Sequence, residues 1–246
     1  MEQVNGFNFK KAFFFFSVVF LVNGMLFWLP QKVSGQDHGC KYFKNYSPKE
    51  YNRSPQNWWI LQDQRGIIYV ANNGGVLEFD SVSWRHIDVP NSVVRSMAID
   101  RSGTIYIGGE NELGYLAPNS SGELQYKSLR NALTDDQINF SDVWKTYATK
   151  KGIYFQTKKF LFRWNPHNRQ FKEWKAQSVD HLFHFSFLCE GELFIRQENV
   201  GLLQMKDDSL VPVPGGEIFA NKKIYMMVPN DTDTGKLLIG TRESAF

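Results

Sequence analysis

The residues that could do chemistry sit in polar pairs spaced along the chain. Asn72 and Asn73, Glu110 and Asn111, then Thr157 to Lys159, Arg196 to Glu198, and Arg242 with Glu243 each follow a short apolar run. Amide, ammonium and guanidinium groups suit sugar hydroxyls or carboxylates. Asn72, Asn73, Glu110, Asn111, Lys158, Arg196, Gln197 and Arg242 are therefore the candidate ligand-binding residues. Glu110, Glu198 and Glu243 would be the carboxylates of a hydrolase if they faced one another at a suitable separation. The alternative is that all of these are solvated turns.

Other reactive patterns are sparse. The chain has no Gly-Lys phosphate loop, no nucleophile elbow and no His-Glu-x-x-His pair. His181 and His184 are three apart; on a strand they face opposite sides and cannot share a metal unless the segment turns, so the pair reads as a loop running into a strand. The glycines of "GGENELG" (108–114) do not open a helix, which excludes a dinucleotide loop. No metal and no cofactor is expected. Of the two cysteines, Cys189 ends the alternating run "FHFSFLC" and reads as a small apolar side chain; Cys40 lies in a polar leader. No bridge between them is expected.

The polar pairs recur because the segments around them recur. "DQRGIIYVAN", "DRSGTIYIGG", "TKKGIYFQTK", "CEGELFIRQE" and "DTGKLLIGTR" place glycines at 66, 103, 152, 191 and 235, spaced 37, 49, 39 and 44 residues apart. The longest interval holds "RNALTDDQINFSD" (130–142), read as an inserted loop with one helical turn. Each unit offers an alternating strand, a tight turn, a second strand, then a third and a short fourth. For example, 58–63 is followed by 75–80 and 83–88, and 143–150 by 160–165 and 171–176. A period near forty with four strands predicts an all-β β-propeller of four-stranded blades, four complete and a fifth in part. Trp84, Trp164 and Trp174 fall near the ends of third and fourth strands and are expected between blades. The segment 41–51 is a candidate closing strand.

Residues 1–35 stand apart. Lys10 and Lys11 precede the apolar stretch 12–30, and "VSG" (33–35) offers small residues at a cleavage site. This predicts a signal peptide, an uncleaved anchor being the alternative, with the propeller domain over 36–246. Removing residues 1–35 takes away Lys10, Lys11, Lys32 and Glu2 and leaves 25 basic against 24 acidic residues. That balance excludes a nucleic-acid partner, which needs a clustered basic face.

The segments 45–87, 93–118, 140–157 and 200–227 resemble the two-component-regulator propeller repeat of exported Bacteroidetes sensors. The resemblance runs over 45–246. It implies a non-enzymatic periplasmic domain that senses a small molecule or oligosaccharide. Such a domain is followed by a small β-sandwich, a membrane helix and a kinase, cyclase or DNA-binding output. None of these is in the sequence, so the chain is expected to be a truncated N-terminal part. Attachment to the membrane would come from the missing downstream helix or the uncleaved N-terminal segment. A homodimer is also admitted. The family's G-T-R-x-x-G turn ends here as "GTRESAF", with Ser244 or Ala245 in place of glycine. The competing functions are an exported propeller enzyme acting on polysaccharides, and a protein-interaction scaffold.

Overall fold

The computed structural model describes residues 43–178, 180–230, 233 and 235–242. The signal-peptide segment and Cys40 therefore lie outside the described residues, as do Glu243, Ser244 and Ala245. Residues 46 onward form one compact unit.

Four antiparallel meanders follow one another, each with its strands hydrogen-bonded in chain order. Blade 1 holds β1 (Asn57–Gln62), β2 (Ile68–Asn72), β3 (Gly75–Phe79) and β4 (Trp84–Ile87). Blade 2 holds β5 (Val94–Ile99), β6 (Ile105–Gly109), β7 (Glu112–Pro118) and β8 (Leu124–Ser128). Blade 3 holds β9 (Lys145–Thr149), β10 (Gly152–Gln156), β11 (Phe160–Asn165) and β12 (Gln170–Lys175). Blade 4 holds β13 (Phe183–Cys189), β14 (Glu192–Gln197), β15 (Gly201–Lys206) and β16 (Ser209–Pro212). Among the described residues, blade 5 contributes β17 (Ile224–Pro229) and β18 (Leu237–Thr241).

Local chemistry makes the hairpins. The Asp63 carboxylate accepts from the backbone N–H groups of Arg65 (2.9 Å) and Ile67 (3.0 Å), and Gly66 takes φ +87. Asp100 does the same for Ser102 (2.9 Å) and Thr104 (3.0 Å), with Gly103 at φ +86. A short acceptor side chain followed by a residue in the left-handed region closes a tight turn at low cost. The 130–142 insert contains the expected helical turn, a 3-10 turn at Arg130–Ala132.

No sheet has a core of its own. Tyr69, Val76 and Ile87 of blade 1 pack with Val94, Met97 and Ile107 of blade 2. Tyr106 and Leu113 pack with Phe155 and Phe162 in the next interface. Tyr154 and Leu161 meet Ile195 and Leu203, and Phe187 and Leu202 meet Ile224 and Met227. Burial of these side chains, at about 1.5–3 kcal/mol each, is what holds neighbouring blades together. Polar pins set the register between them. Ser96 Oγ, on β5, donates to the Val143 carbonyl (2.9 Å) and bonds Thr146 Oγ1 (2.8 Å). Asp208 receives Arg163 and Lys172 from blade 3, and its carbonyl accepts from Trp174 Nε1 (2.9 Å).

Two expectations need correcting. Residues 48–51 are not a closing strand but a helical turn, α1 (Pro48–Tyr51). Pro48 fits a first helical position, Glu50 accepts from the Ser47 N–H (2.6 Å), and Asn52 at φ +48 ends the turn. Trp84 does not lie between two blades. It stacks on Phe79 (4.6 Å between centroids) and meets Tyr46 and Tyr51. Together with Val70 and Leu77, these residues form a small core under α1. Trp164 and Trp174 do sit in the interfaces of blade 3 with blades 2 and 4. Cys189 is buried with a free thiol. Among the described residues no helix is long and apolar enough to cross a membrane.

Candidate functional site

Every inner strand starts at the end of the blade where the second strand turns into the third. That end therefore gathers both the polar pairs and the first residues of β1, β5, β9, β13 and β17. The pairs divide into two groups. Asn72, Arg196 and Gln197 are buried, at 0%, 2% and 2% exposure. Asn72 Nδ2 donates to the Ser54 carbonyl (2.6 Å) and to Asn57 Oδ1 (2.7 Å). Arg196 donates to the carbonyls of Phe219 (3.0 Å) and Ala220, and Gln197 Nε2 to that of His181 (2.8 Å). These three tie the turn to the connections between blades. Glu110, Lys158 and Arg242 are exposed, and Asn73 and Asn111 are half-buried. Asn73 Oδ1 accepts from Trp58 Nε1 (2.7 Å). The Asn111 amide lies between the Ile138 carbonyl (2.6 Å) and the Arg130 guanidinium (3.2 Å). Glu198 is half-buried.

The structure adds residues that the polar pattern does not single out. Four of the inner strands open with two residues set against one. In β1, Asn57 pairs with Asn72 and Trp59 with Ala71, leaving Trp58 extra. Arg95 is extra in β5, one residue of the pair His184 and Phe185 in β13, and Tyr225 in β17. In blade 3 the Trp144 N–H donates to the carbonyl of Gln156 (2.8 Å), the residue that also pairs with Lys145. A bulge re-aims the side chain it carries.

The re-aimed side chains meet across the axis. Trp58 of blade 1 lies edge-on to Trp144 of blade 3 (6.2 Å). The Arg95 guanidinium lies beside both, 4.1 Å from the Trp58 centroid and 5.1 Å from that of Trp144. Its Nε donates to Asp142 (2.8 Å). One residue further from the mouth, Lys145 Nζ lies 4.9 Å from the Trp59 ring and 5.1 Å from that of Phe185. Phe185 touches Trp144 (6.2 Å) and Tyr225 (6.1 Å), and His184 packs on Phe185 (4.5 Å). The ring faces are partly open: Trp58 is 38% and Tyr225 50% exposed. Burial pushes the Lys145 ammonium below its usual range. Burial, then the charges of Arg196 and Lys223, lowers His184 to about 4, so the imidazole is neutral at pH 7.

The opposite end holds a cleft of about 420 Å³ among blades 2, 3 and 4. Asp100, Glu190 and Glu192 face Arg101, Lys150 and Lys151 there, so its charges largely offset one another. It offers volume without a preferred ligand sign, whereas the bulged end combines open ring faces with an excess of cations. His181 bonds Ser178 Oγ through Nδ1 (2.6 Å), and no group of three metal-ligating side chains occurs among the described residues.

No family model and no curated protein sequence matches the chain. Solved structures do. The chain is similar to the catalytically inactive H270A virginiamycin B lyase from Staphylococcus aureus, with TM-score 0.56 and 10% identity, over 78% of this chain and 66% of that one. It is also similar to the extracellular domain of the hybrid two component system BT3049 from B. thetaiotaomicron, with TM-score 0.53 and 15% identity over 76% of this chain. A third likeness is to the extracellular domain of the BT4673 system of the same organism, with TM-score 0.55 and 16% identity over 75% of this chain. The chain spans 26% and 25% of those two domains. At such identities the likeness speaks for fold alone. With four four-stranded meanders and part of a fifth around a shared axis, the chain is a β-propeller.

Proposed function

We propose that the chain is a non-enzymatic ligand-sensing propeller, exported to the periplasm. Its ligand, a small molecule or oligosaccharide, binds at the bulged end of the axis. The observation that carries this reading is the set of side chains that bulges from blades 1, 2, 4 and 5, and the equivalent pairing in blade 3, direct to one place. A rigid scaffold that presents ring faces and polar turn residues together is built for recognition. The fold similarity to extracellular domains of Bacteroides signalling systems supports the same reading. Binding would bias an output carried elsewhere in a transmembrane regulator, with attachment through the N-terminal segment or a downstream helix.

The test is a titration of the full chain with a panel of oligosaccharides, neutral sugars, sugar acids and aromatic acids, read by tryptophan fluorescence. Trp58 lies at the mouth, so a true ligand quenches emission, and Trp58→Ala abolishes the response. A panel that leaves emission unchanged refutes the reading. The likeness to virginiamycin B lyase favours a second one, an exported enzyme. Turnover of any panel member that disappears in Glu110→Gln would establish it instead.

A further inference from the structure

The charges of the axial bay are out of balance. Arg95 has Asp142 as its counter-ion, at 2.8 Å. Lys145 has no carboxylate, carbonyl or hydroxyl partner among the described residues, and its ammonium rests against the faces of Trp59 and Phe185. Ring faces repay only part of what an ammonium loses on leaving water. An anion arriving at Nζ repays the rest, and a charge-assisted hydrogen bond in a half-dry bay is among the stronger polar contacts available. Burial already holds this ammonium below its usual pKa, the signature of a cation lacking its partner.

The chemistry of the anion follows from what surrounds it. One ammonium is a point charge. Arg95 already has its charge balanced by Asp142, bonded through Nε, and it rests over the Trp58 ring, so the unbalanced charge beside these rings is the single positive charge of Lys145. That suits a monoanion better than a phosphate dianion. Phe185 touches both the ammonium and Tyr225, and half of Tyr225 is open to solvent. A six-membered ring anchored at Lys145 therefore reaches an exposed aromatic face. Resting on the reading of this end as the ligand site, we infer that the bay holds a carboxylate borne on a ring with an apolar face. The carboxylate bonds Lys145 Nζ, and the ring lies over Phe185 and Tyr225. A sugar acid and an aromatic acid share this chemistry.

Four probes separate the possibilities on the full chain: galacturonate, benzoate, galactose and acetate, by calorimetry and tryptophan fluorescence. The ring acids are expected to bind more tightly than galactose or acetate. Lys145→Met weakens the ring acids at least tenfold, and Lys145→Arg retains most of the affinity. Tyr225→Ala, at an exposed position that leaves the fold intact, weakens the ring acids and leaves acetate unchanged. Preference for galacturonate over benzoate identifies a sugar acid, and the reverse an aromatic acid. Equal binding of galacturonate and galactose, or ring-acid affinity unchanged in both Lys145→Met and Tyr225→Ala, overturns the inference. So does the absence of binding by any of the four probes. The wider panel with Trp58→Ala decides the sensing reading separately, so a neutral ligand found there leaves sensing standing while this inference falls.

Discussion

Lowering the pH from 7 to 5 should destabilise the fold through His184. The imidazole is held at about 4 in the folded chain, against an ordinary histidine value of 6.5. The unfolded chain therefore takes up the proton first as pH falls. The contribution is fully present above 6.5 and is lost progressively down to about 4. Linkage for one such group gives about 2 kcal/mol lost between pH 7 and 5. The ring is partly exposed, so solvent screening reduces this to about 1 kcal/mol. For a domain of this size that is a fall in Tm of about 2–4 °C. Asp208 and Asp63 act lower. Hydrogen bonds from Arg163 and Lys172 hold Asp208 well below the usual carboxylate range, so its contribution is lost only as pH falls below 3.8. The assay is thermal melting by circular dichroism at pH 7 and pH 5, on the native chain and on His184→Phe. Phenylalanine keeps the ring contacts with Phe185 and Tyr225 but cannot titrate. The native chain should lose more stability than the variant on acidification. Equal losses in both would refute the electrostatic account of His184.

Further outcomes follow from particular contacts. Arg196→Met removes both carbonyl bonds to the blade 5 connection and should cost about 2 kcal/mol, read as a lower urea midpoint. Gly108→Ala should destabilise by more than about 2 kcal/mol, because a Cβ there would lie 2.5 Å from Val143 and 2.7 Å from Ser96 Oγ at the blade 2–3 interface. Tyr147→Phe leaves the Ser186 carbonyl without its 2.5 Å donor and should cost about 1 kcal/mol in chemical denaturation. Lys145→Met removes a half-buried ammonium that has no counter-ion among the described residues, so in the absence of ligand its Tm should equal or exceed that of the native chain.

The repeat is legible in the sequence because its turns are local. Asp63 and Asp100 bond N–H groups two and four residues ahead, and such contacts leave a mark in any short window. The roles of Asn72, Arg196 and Gln197 are not legible in this way. All three look like surface polar residues until the carbonyls of Ser54, Ala220 and His181, 16 to 24 positions away, are brought against them. Asn73, Glu110, Asn111, Lys158 and Arg242 do lie at the end of the blades where the pattern puts them. The axial residues escape for a different reason. A bulge breaks alternation by one position, and the pairs Trp58–Trp59, Trp144–Lys145 and His184–Phe185 look like ordinary starts of strands. The pairing of a strand start with two large consecutive side chains is the signal that would find them. α1 is hidden because four residues carry no period.

The bulges also bear on how such a protein can change. In a regular strand, inserting or re-aiming one residue turns every later side chain to the other face. Here the irregularity is confined to the first positions of β1, β5, β13 and β17, and pairing is regular beyond it. Trp58, Arg95 and Tyr225 are therefore uncoupled from the alternation that builds the interfaces between blades. Selection can exchange the axis-facing side chain of one blade while Leu61, Met97 and Met227 keep their places. The chemistry of the axis and the packing between blades then evolve on separate residues of the same strand.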